Sequence, residues 1–207
     1  MTPLSVSALR SHARKLVKLD GRFAVVLKNY GYPPLWNRPN RFSTLVLMVL
    51  EQQVSLASAK AAFDKLKKAV PRLTPAKFLK LSDQRLKSFG FSRQKTGYCR
   101  GIAQRIVERT LVLGRLPKLS DQAAREQLMA IKGIGEWTAS VYLMMVLLRP
   151  DVWPDGDRAL AVGAAELFQI PNVPSYAALG SMADHWAPFR STAARMIWHH
   201  YLSLRSK

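Results

Sequence analysis

Three carboxylates, Asp151, Asp155 and Asp157, stand close together in a segment that the sequence predicts to be a loop. Asp157 directly precedes a predicted helix, so it could cap that helix or supply a carboxylate to a reaction. Asp155 is the alternative candidate for the second role. A metal site formed by all three is a third reading, because hard cations bind carboxylate oxygens. The residues alone leave these roles open.

A turn with two glycines, Gly133-Ile134-Gly135, joins two predicted helices. Gly133 can adopt the positive φ that reverses a chain, and Gly135 has no side chain to obstruct an approaching phosphate. The helix that follows presents unpaired backbone N–H groups and its positive dipole end to that phosphate. Residues 120–148 are therefore predicted to form a helix-hairpin-helix that binds the phosphate backbone of DNA and does not read the base sequence.

The chain is strongly basic, with 32 Lys and Arg against 13 Asp and Glu and a net charge of +19. Residues 55–115 hold 15 basic and 3 acidic side chains, whereas residues 116–157 hold 4 and 6. A positive surface around a slightly acidic segment suits a protein that attracts phosphates yet keeps a carboxylate for chemistry. Lys132 and Thr138 are predicted to lie beside the phosphate at the hairpin.

Several protein classes are excluded by composition. Hydrophobic residues make up 48% of the chain, so it is expected to fold. The single cysteine, Cys99, excludes an internal disulfide and any four-cysteine iron–sulfur or zinc site. The longest apolar stretch, residues 138–148, is too short to span a bilayer, and the N-terminus lacks the apolar run of a signal peptide. We expect an intracellular protein, in the cytoplasm or nucleoid, or in the nucleus of a eukaryote.

Apolar residues recur at helical spacing along almost the whole chain, and no convincing alternating strand pattern is present. Ser and Thr precede many of these segments as helix caps, for example at Thr74-Pro75 and Ser120-Asp121. The sequence predicts an all-α fold with about ten helices.

Asp157 lies twenty residues beyond Trp137, and here the chain resembles the helix-hairpin-helix (HhH-GPD) DNA glycosylases, whose signature ends in Gly or Pro followed by an aspartate. The 3-methyladenine DNA glycosylase II branch is the most similar. The resemblance covers about residues 15–205. Three further stretches support it: Leu50–Ser55, Gly90–Tyr98, and Pro188–Ser191 leading to Trp198.

The resemblance implies two helical lobes that flank a cleft. Residues 1–40 with 158–207 would form one lobe, and residues 41–157 the other. It also implies the chemistry: Asp157 would stabilise the positive charge that develops on the sugar, or would orient or deprotonate the attacking water. Relatives that nick the backbone carry a Lys where this chain has Trp137, which implies a monofunctional enzyme that releases alkylated purines from double-stranded DNA.

Two indoles are implied in binding the flipped-out base. Trp137 and Trp198 match aromatic positions of the pocket, and an indole face attracts a cationic alkylated purine. For both Trp137 and Trp198 the alternative is packing in the core. Gln53 matches the family's wedge residue, which fills the gap left by the flipped base; the alternative is that Gln53 bonds its own loop.

The resemblance also carries implications for cofactors. No iron–sulfur cluster is expected, but the family binds a monovalent cation, Na⁺ or K⁺, through carbonyls that match Met129, Ile131 and Ile134. The protein is expected to act as a monomer, and His199-His200 are expected to be packing or surface residues.

Two alternative functions stay open. One is a noncatalytic DNA-damage-binding protein, and the other is a glycosylase for deaminated or oxidised bases.

Overall fold

The computed structural model describes residues 2–206, and these residues form an all-α protein, which confirms the predicted fold class. This range contains twelve α-helices and two short 3₁₀ helices, with no β-strand. None of the helices in it is both long and apolar enough to cross a membrane. In chain order the α-helices are α1 (Val6–Leu19), α2 (Ala24–Tyr30), α3 (Phe42–Glu51), α4 (Leu56–Ala69), α5 (Pro75–Leu79), α6 (Asp83–Phe89), α7 (Arg93–Val107), α8 (Asp121–Met129), α9 (Glu136–Met145), α10 (Arg158–Phe168), α11 (Tyr176–Asp184) and α12 (Arg190–Arg205).

The chain divides into two compact units. The first contains the described residues up to Asn37 and those from Ser140 onward, and the second is Arg38–Ala139. The second boundary therefore lies inside α9, and not after residue 157, where the sequence places it. Hydrogen bonds join the residues after this boundary to the first unit: the Arg195 side chain donates to the Met144 carbonyl at 2.7 Å, and the Leu4 amide donates to the Leu148 carbonyl at 2.7 Å.

Short polar side chains determine where most helices begin. In the described residues, a Ser or Thr hydroxyl accepts a hydrogen bond from the amide three residues on at the start of seven α-helices: Ser5, Ser55, Thr74, Ser82, Ser92, Ser120 and Ser175. Each cap satisfies an amide that the helix itself leaves unpaired. Asp157 caps α10 in the same way.

Aromatic side chains fill the core of the first unit. Trp186 is 1% exposed, and its ring centroid lies 5.2 Å from that of Phe23 and 5.6 Å from those of Phe168 and Trp153. Its indole N–H donates to Asp20 Oδ2 at 3.1 Å. Because this bond satisfies the indole nitrogen, the large Trp186 side chain is buried without leaving a polar atom unpaired.

Arg195 of α12 is a fully buried cation in the same unit. Its guanidinium donates to three backbone carbonyls, those of Leu35 at 3.1 Å, Ser191 at 2.9 Å and Met144 at 2.7 Å. Burial lowers the pKa of Arg195 to about 10, which leaves it charged at neutral pH. Arg195 therefore fixes the segment before α3 and the end of α9 against α12.

His200 makes the stability of the protein depend on pH. It is buried, and within residues 2–206 neither ring nitrogen has a hydrogen-bond partner. Burial lowers the pKa of His200, with Arg205 adding to this effect and Glu166 opposing it. Because the unfolded chain takes up the proton at a higher pH than the folded chain, the free energy of unfolding should fall as the pH drops below about 6.5.

Urea unfolding at about pH 7.5 and about pH 5.5 measures this loss. The His200→Phe variant should lose less stability over the interval than the wild-type chain. Burial also lowers the pKa of His12, so part of the loss should remain. If the variant lost as much unfolding free energy between the two pH values as the wild-type chain, His200 would not be the group that takes up a proton on unfolding in this range.

Candidate functional site

The hairpin between α8 and α9 lies in the second unit. Gly133 has a φ of +94°, as predicted for the residue that reverses the chain. The Ile134 amide donates to the Ile131 carbonyl at 3.0 Å, and both isoleucine side chains are buried. Lys132 is exposed, and a Cβ added at Gly135 would meet no heavy atom of the described chain within 4 Å. The turn thus leaves its backbone accessible at Gly135.

Tyr98 gives Gly133 a second, steric reason to be glycine. A Cβ at Gly133 would lie 2.3 Å from Tyr98 Cγ, so the aromatic ring occupies the space of a side chain. The Tyr98 hydroxyl accepts a hydrogen bond from Gln94 Nε2 at 2.8 Å. The hairpin turn is therefore packed directly against α7. The contact of Tyr98 with the hairpin was not predicted, because contact between a glycine and a ring distant in sequence leaves no signal in residue spacing.

The loop between α3 and α4 is bonded to the hairpin. The Gln52 side-chain amide donates to the Gly133 carbonyl at 2.9 Å and to Thr138 Oγ1 at 3.1 Å. Thr138 is buried, so its hydroxyl is used within the unit; its contact with a phosphate stays a prediction. The Lys95 ammonium donates to the carbonyls of Leu50 at 2.7 Å and Gln52 at 2.9 Å. Gln52 and Lys95 had no predicted role.

Gln53 lies at the tip of this loop. Its side chain is exposed and its φ is +56°, which is uncommon for a residue other than glycine. The adjacent Gln52, and not Gln53, makes the bonds to the hairpin. A left-handed backbone on a tethered loop presents the Gln53 side chain outward, and its role as a wedge stays a prediction.

Replacing Lys95 by Met tests whether this tether stabilises the unit. The change leaves the carbonyls of Leu50 and Gln52 without their charged donor, and we expect the free energy of unfolding to fall by about 1–3 kcal/mol. Urea unfolding measures the effect. Lys60→Met is the matched control, because the Lys60–Asp64 pair is exposed and should contribute under about 0.5 kcal/mol. Equal effects of the two changes would contradict a specific role for Lys95.

Asp157 lies in the first unit and is 9% exposed. Its Oδ1 accepts hydrogen bonds from the Leu160 amide at 2.8 Å and from Trp198 Nε1 at 3.3 Å. Asp157 therefore does cap α10, the alternative role that its position suggested. Capping and chemistry are compatible, because a carboxylate has further acceptor sites beyond the two bonds to Oδ1.

Trp198 of α12 is 8% exposed, and its ring packs edge-on against Trp36 with centroids 6.5 Å apart. Trp36 has a φ of +48° and was not singled out in the sequence. Trp198 thus belongs to the packing of the first unit, as its alternative reading predicts, and also bonds to Asp157. Trp137 is half-buried in the first turn of α9, within the second unit.

The other carboxylates of the loop have different surroundings. Asp151 accepts a hydrogen bond from Arg190 Nη2 at 2.8 Å, and Asp155 is exposed. Across residues 2–206, no group of three or more His, Cys, Asp or Glu side chains could hold a metal ion. The aspartates therefore give no support to the metal reading. The ring of His199 contacts the Tyr30 carbonyl at 3.1 Å, a packing position.

Comparison with known proteins gives consistent matches over most of the chain. Residues 46–188 match the model of the HhH-GPD superfamily base excision DNA repair proteins. DNA-3-methyladenine glycosylase 1 of Schizosaccharomyces pombe is 28% identical over 211 residues, covering 94% of this chain and 84% of the relative. The likeness therefore reaches well beyond the hairpin.

Solved structures give the same picture. The DNA-3-methyladenine glycosidase from Bacillus halodurans superposes with a TM-score of 0.78 at 27% identity, over 100% of this chain and 95% of that one. A 3-methyladenine DNA glycosylase of S. pombe in complex with abasic DNA gives a TM-score of 0.78 at 27% identity, over 91% and 95% of the two chains. Similarity in sequence and in structure thus points to the same group of proteins.

Proposed function

The chain belongs to the HhH-GPD superfamily of base excision DNA repair proteins, and from this membership we propose that it is a monofunctional DNA glycosylase for alkylated purines of the 3-methyladenine type. It acts on double-stranded DNA as a monomer and leaves an abasic site. The relatives named as DNA-3-methyladenine glycosylases support the substrate class. The observation that carries the proposal is the buried carboxylate of Asp157, held at the start of α10 by two hydrogen bonds.

In the proposed reaction, Asp157 stabilises the positive charge that develops on the sugar as the N-glycosidic bond breaks. Water adds to C1′ of the sugar, and the base leaves with the electron pair of the broken bond. A base alkylated at a ring nitrogen is cationic, so it departs as a neutral molecule and needs no added proton. Asp157 orients the water, whose proton passes to the carboxylate or to solvent.

The indoles of Trp137 and Trp198 are assigned to the base. An electron-rich indole face attracts a cationic ring, which favours alkylated over undamaged purines. Trp137 also supports the absence of strand cleavage, because an indole has no amine to form a Schiff base with the sugar.

The second unit is assigned to the DNA backbone. The open backbone at Gly135 and the exposed Lys132 form a phosphate site at the start of α9, on a turn that the bond from the Ile134 amide to the Ile131 carbonyl holds closed. The excess of basic side chains in residues 55–115 attracts the duplex through its phosphates. Gln53, exposed at the tip of its loop, is proposed to fill the gap left by the flipped base.

A monovalent cation is also proposed at the hairpin. Carbonyls in the last turn of a helix lack partners within it, and the Ile131 carbonyl retains a second lone pair beside its bond from Ile134. The carbonyls of Met129, Ile131 and Ile134 would hold Na⁺ or K⁺. A bound cation would add positive charge next to the DNA phosphate.

A panel of duplexes tests the substrate class. Each duplex carries a methylated purine, ethenoadenine, uracil or 8-oxoguanine, and the free base released is measured over time. We expect the methylated purine to be released fastest. Faster release of uracil or 8-oxoguanine would assign the enzyme to another lesion, and tight binding of the methylated duplex without release of any base would make the protein a noncatalytic damage sensor.

A further inference from the structure

Two donors from different helices meet at one oxygen of the Asp157 carboxylate. The amide of Leu160, 2.8 Å away, comes from the backbone of α10, and the Trp198 indole N–H, 3.3 Å away, comes from α12. Donors to a carboxylate oxygen prefer to lie near its plane. Donors held by two different helices restrict the rotation of the carboxylate about its Cβ–Cγ bond.

The position of Trp198 is itself fixed by packing. Its ring lies edge-on against Trp36, and the preceding residue, Leu35, gives its carbonyl to the buried guanidinium of Arg195. Arg195 precedes Trp198 by three residues on α12, so both side chains face the segment that contains Leu35 and Trp36. The indole N–H is therefore presented to Asp157 from a rigid, buried support.

We propose that Trp198 is a positioning residue, whose indole N–H holds the Asp157 carboxylate in the plane that the reaction needs. This inference rests on the proposed glycosylase function. It gives Trp198 a role beyond its ring: the ring packs against Trp36, while the nitrogen edge orients the group that acts on the sugar. Misalignment of a reacting group lowers the rate of the chemical step more than it weakens substrate binding.

The variant Trp198→Phe separates the two roles, because it keeps an aromatic ring and removes the N–H. We expect the single-turnover rate of base release to fall about 10- to 100-fold, with the dissociation constant for the methylated duplex nearly unchanged. If the ring alone mattered, Trp198→Phe would release the base at the wild-type rate.

A matched control exists in the same unit. The Trp186 indole N–H also donates to a carboxylate, Asp20 Oδ2 at 3.1 Å. Trp186→Phe should therefore remove an equivalent bond without slowing base release, provided that thermal unfolding confirms both variants are folded. If Trp198→Phe does not fold, replacement of Trp198 by benzothienylalanine keeps the bicyclic shape and removes only the donor, and the same loss of rate is expected.

A double-mutant cycle shows whether Trp198 acts through Asp157. Once Asp157→Asn has removed the charge, Trp198→Phe should cause little further loss of rate, so the two effects should not add. Additive losses would overturn the positioning role. Failure of the proposed function and failure of the positioning role are distinguishable: if the proposed function is wrong, the wild-type chain releases no base, and if only the positioning role is wrong, Asp157→Asn still slows release while Trp198→Phe resembles the wild type.

Discussion

The Asp157→Asn variant should bind a methylated duplex as tightly as the wild-type chain and release its base at least about 100-fold more slowly. Asn is as good a helix cap as Asp, and its amide oxygen can still accept from the Leu160 amide and the Trp198 indole. The change therefore removes the negative charge while keeping the local structure. Single-turnover release of the free base and a binding titration on the same duplex measure the two effects.

Asp155→Asn is the control, because it changes the same charge two residues away at an exposed position. We expect it to release base at close to the wild-type rate. A large loss in Asp155→Asn with none in Asp157→Asn would transfer the chemistry to Asp155. Equal release by wild type and Asp157→Asn would remove the carboxylate from the mechanism.

Gly133→Ala should lower both the stability of the second unit and its affinity for DNA. The backbone at Gly133 has a φ of +94°, and the added Cβ would lie 2.3 Å from Tyr98 Cγ. The strained conformation and the displaced ring together should cost about 2–4 kcal/mol of unfolding free energy. Distortion of the turn should also misplace the amides that bind phosphate, which weakens duplex binding about 10- to 100-fold.

Gly135→Ala separates the two effects. Its added Cβ meets no described atom within 4 Å, so stability should change by less than about 0.5 kcal/mol. The same methyl group would stand in the path of a phosphate, and we expect binding to weaken about 10-fold. Urea unfolding and duplex titration of both variants make the comparison. If Gly135→Ala binds DNA normally, phosphate does not approach the hairpin at this residue.

Much of the fold can be predicted from local signals. Helical periodicity and hydroxyl caps such as Ser120 predict the helices, because both act over a few residues. The positive φ of Gly133 follows from the same kind of local argument. The predicted cap at Asp157 is also local, since its partner is the amide three residues on.

Contacts between distant segments could not be predicted in this way. Tyr98 against Gly133 and Gln52 bonded to Thr138 join residues that no periodic pattern connects. Arg195 bonds the end of α9 to α12 through a backbone carbonyl, a partner that carries no sequence signature. Trp36 supports Trp198 from the opposite end of the chain. Within each unit, these residues support the groups to which the function is assigned, and their contacts follow from the folded chain and not from local sequence patterns.

The most direct test of the proposed glycosylase activity is the reaction of the wild-type chain with a methylated double-stranded DNA. Free 3-methyladenine and strand breaks are measured in the same samples. We expect the base to be released while the strand stays intact until it is heated in alkali. Intact duplex with no free base would contradict the glycosylase function, and strand breaks without heat or alkali would contradict the monofunctional mechanism.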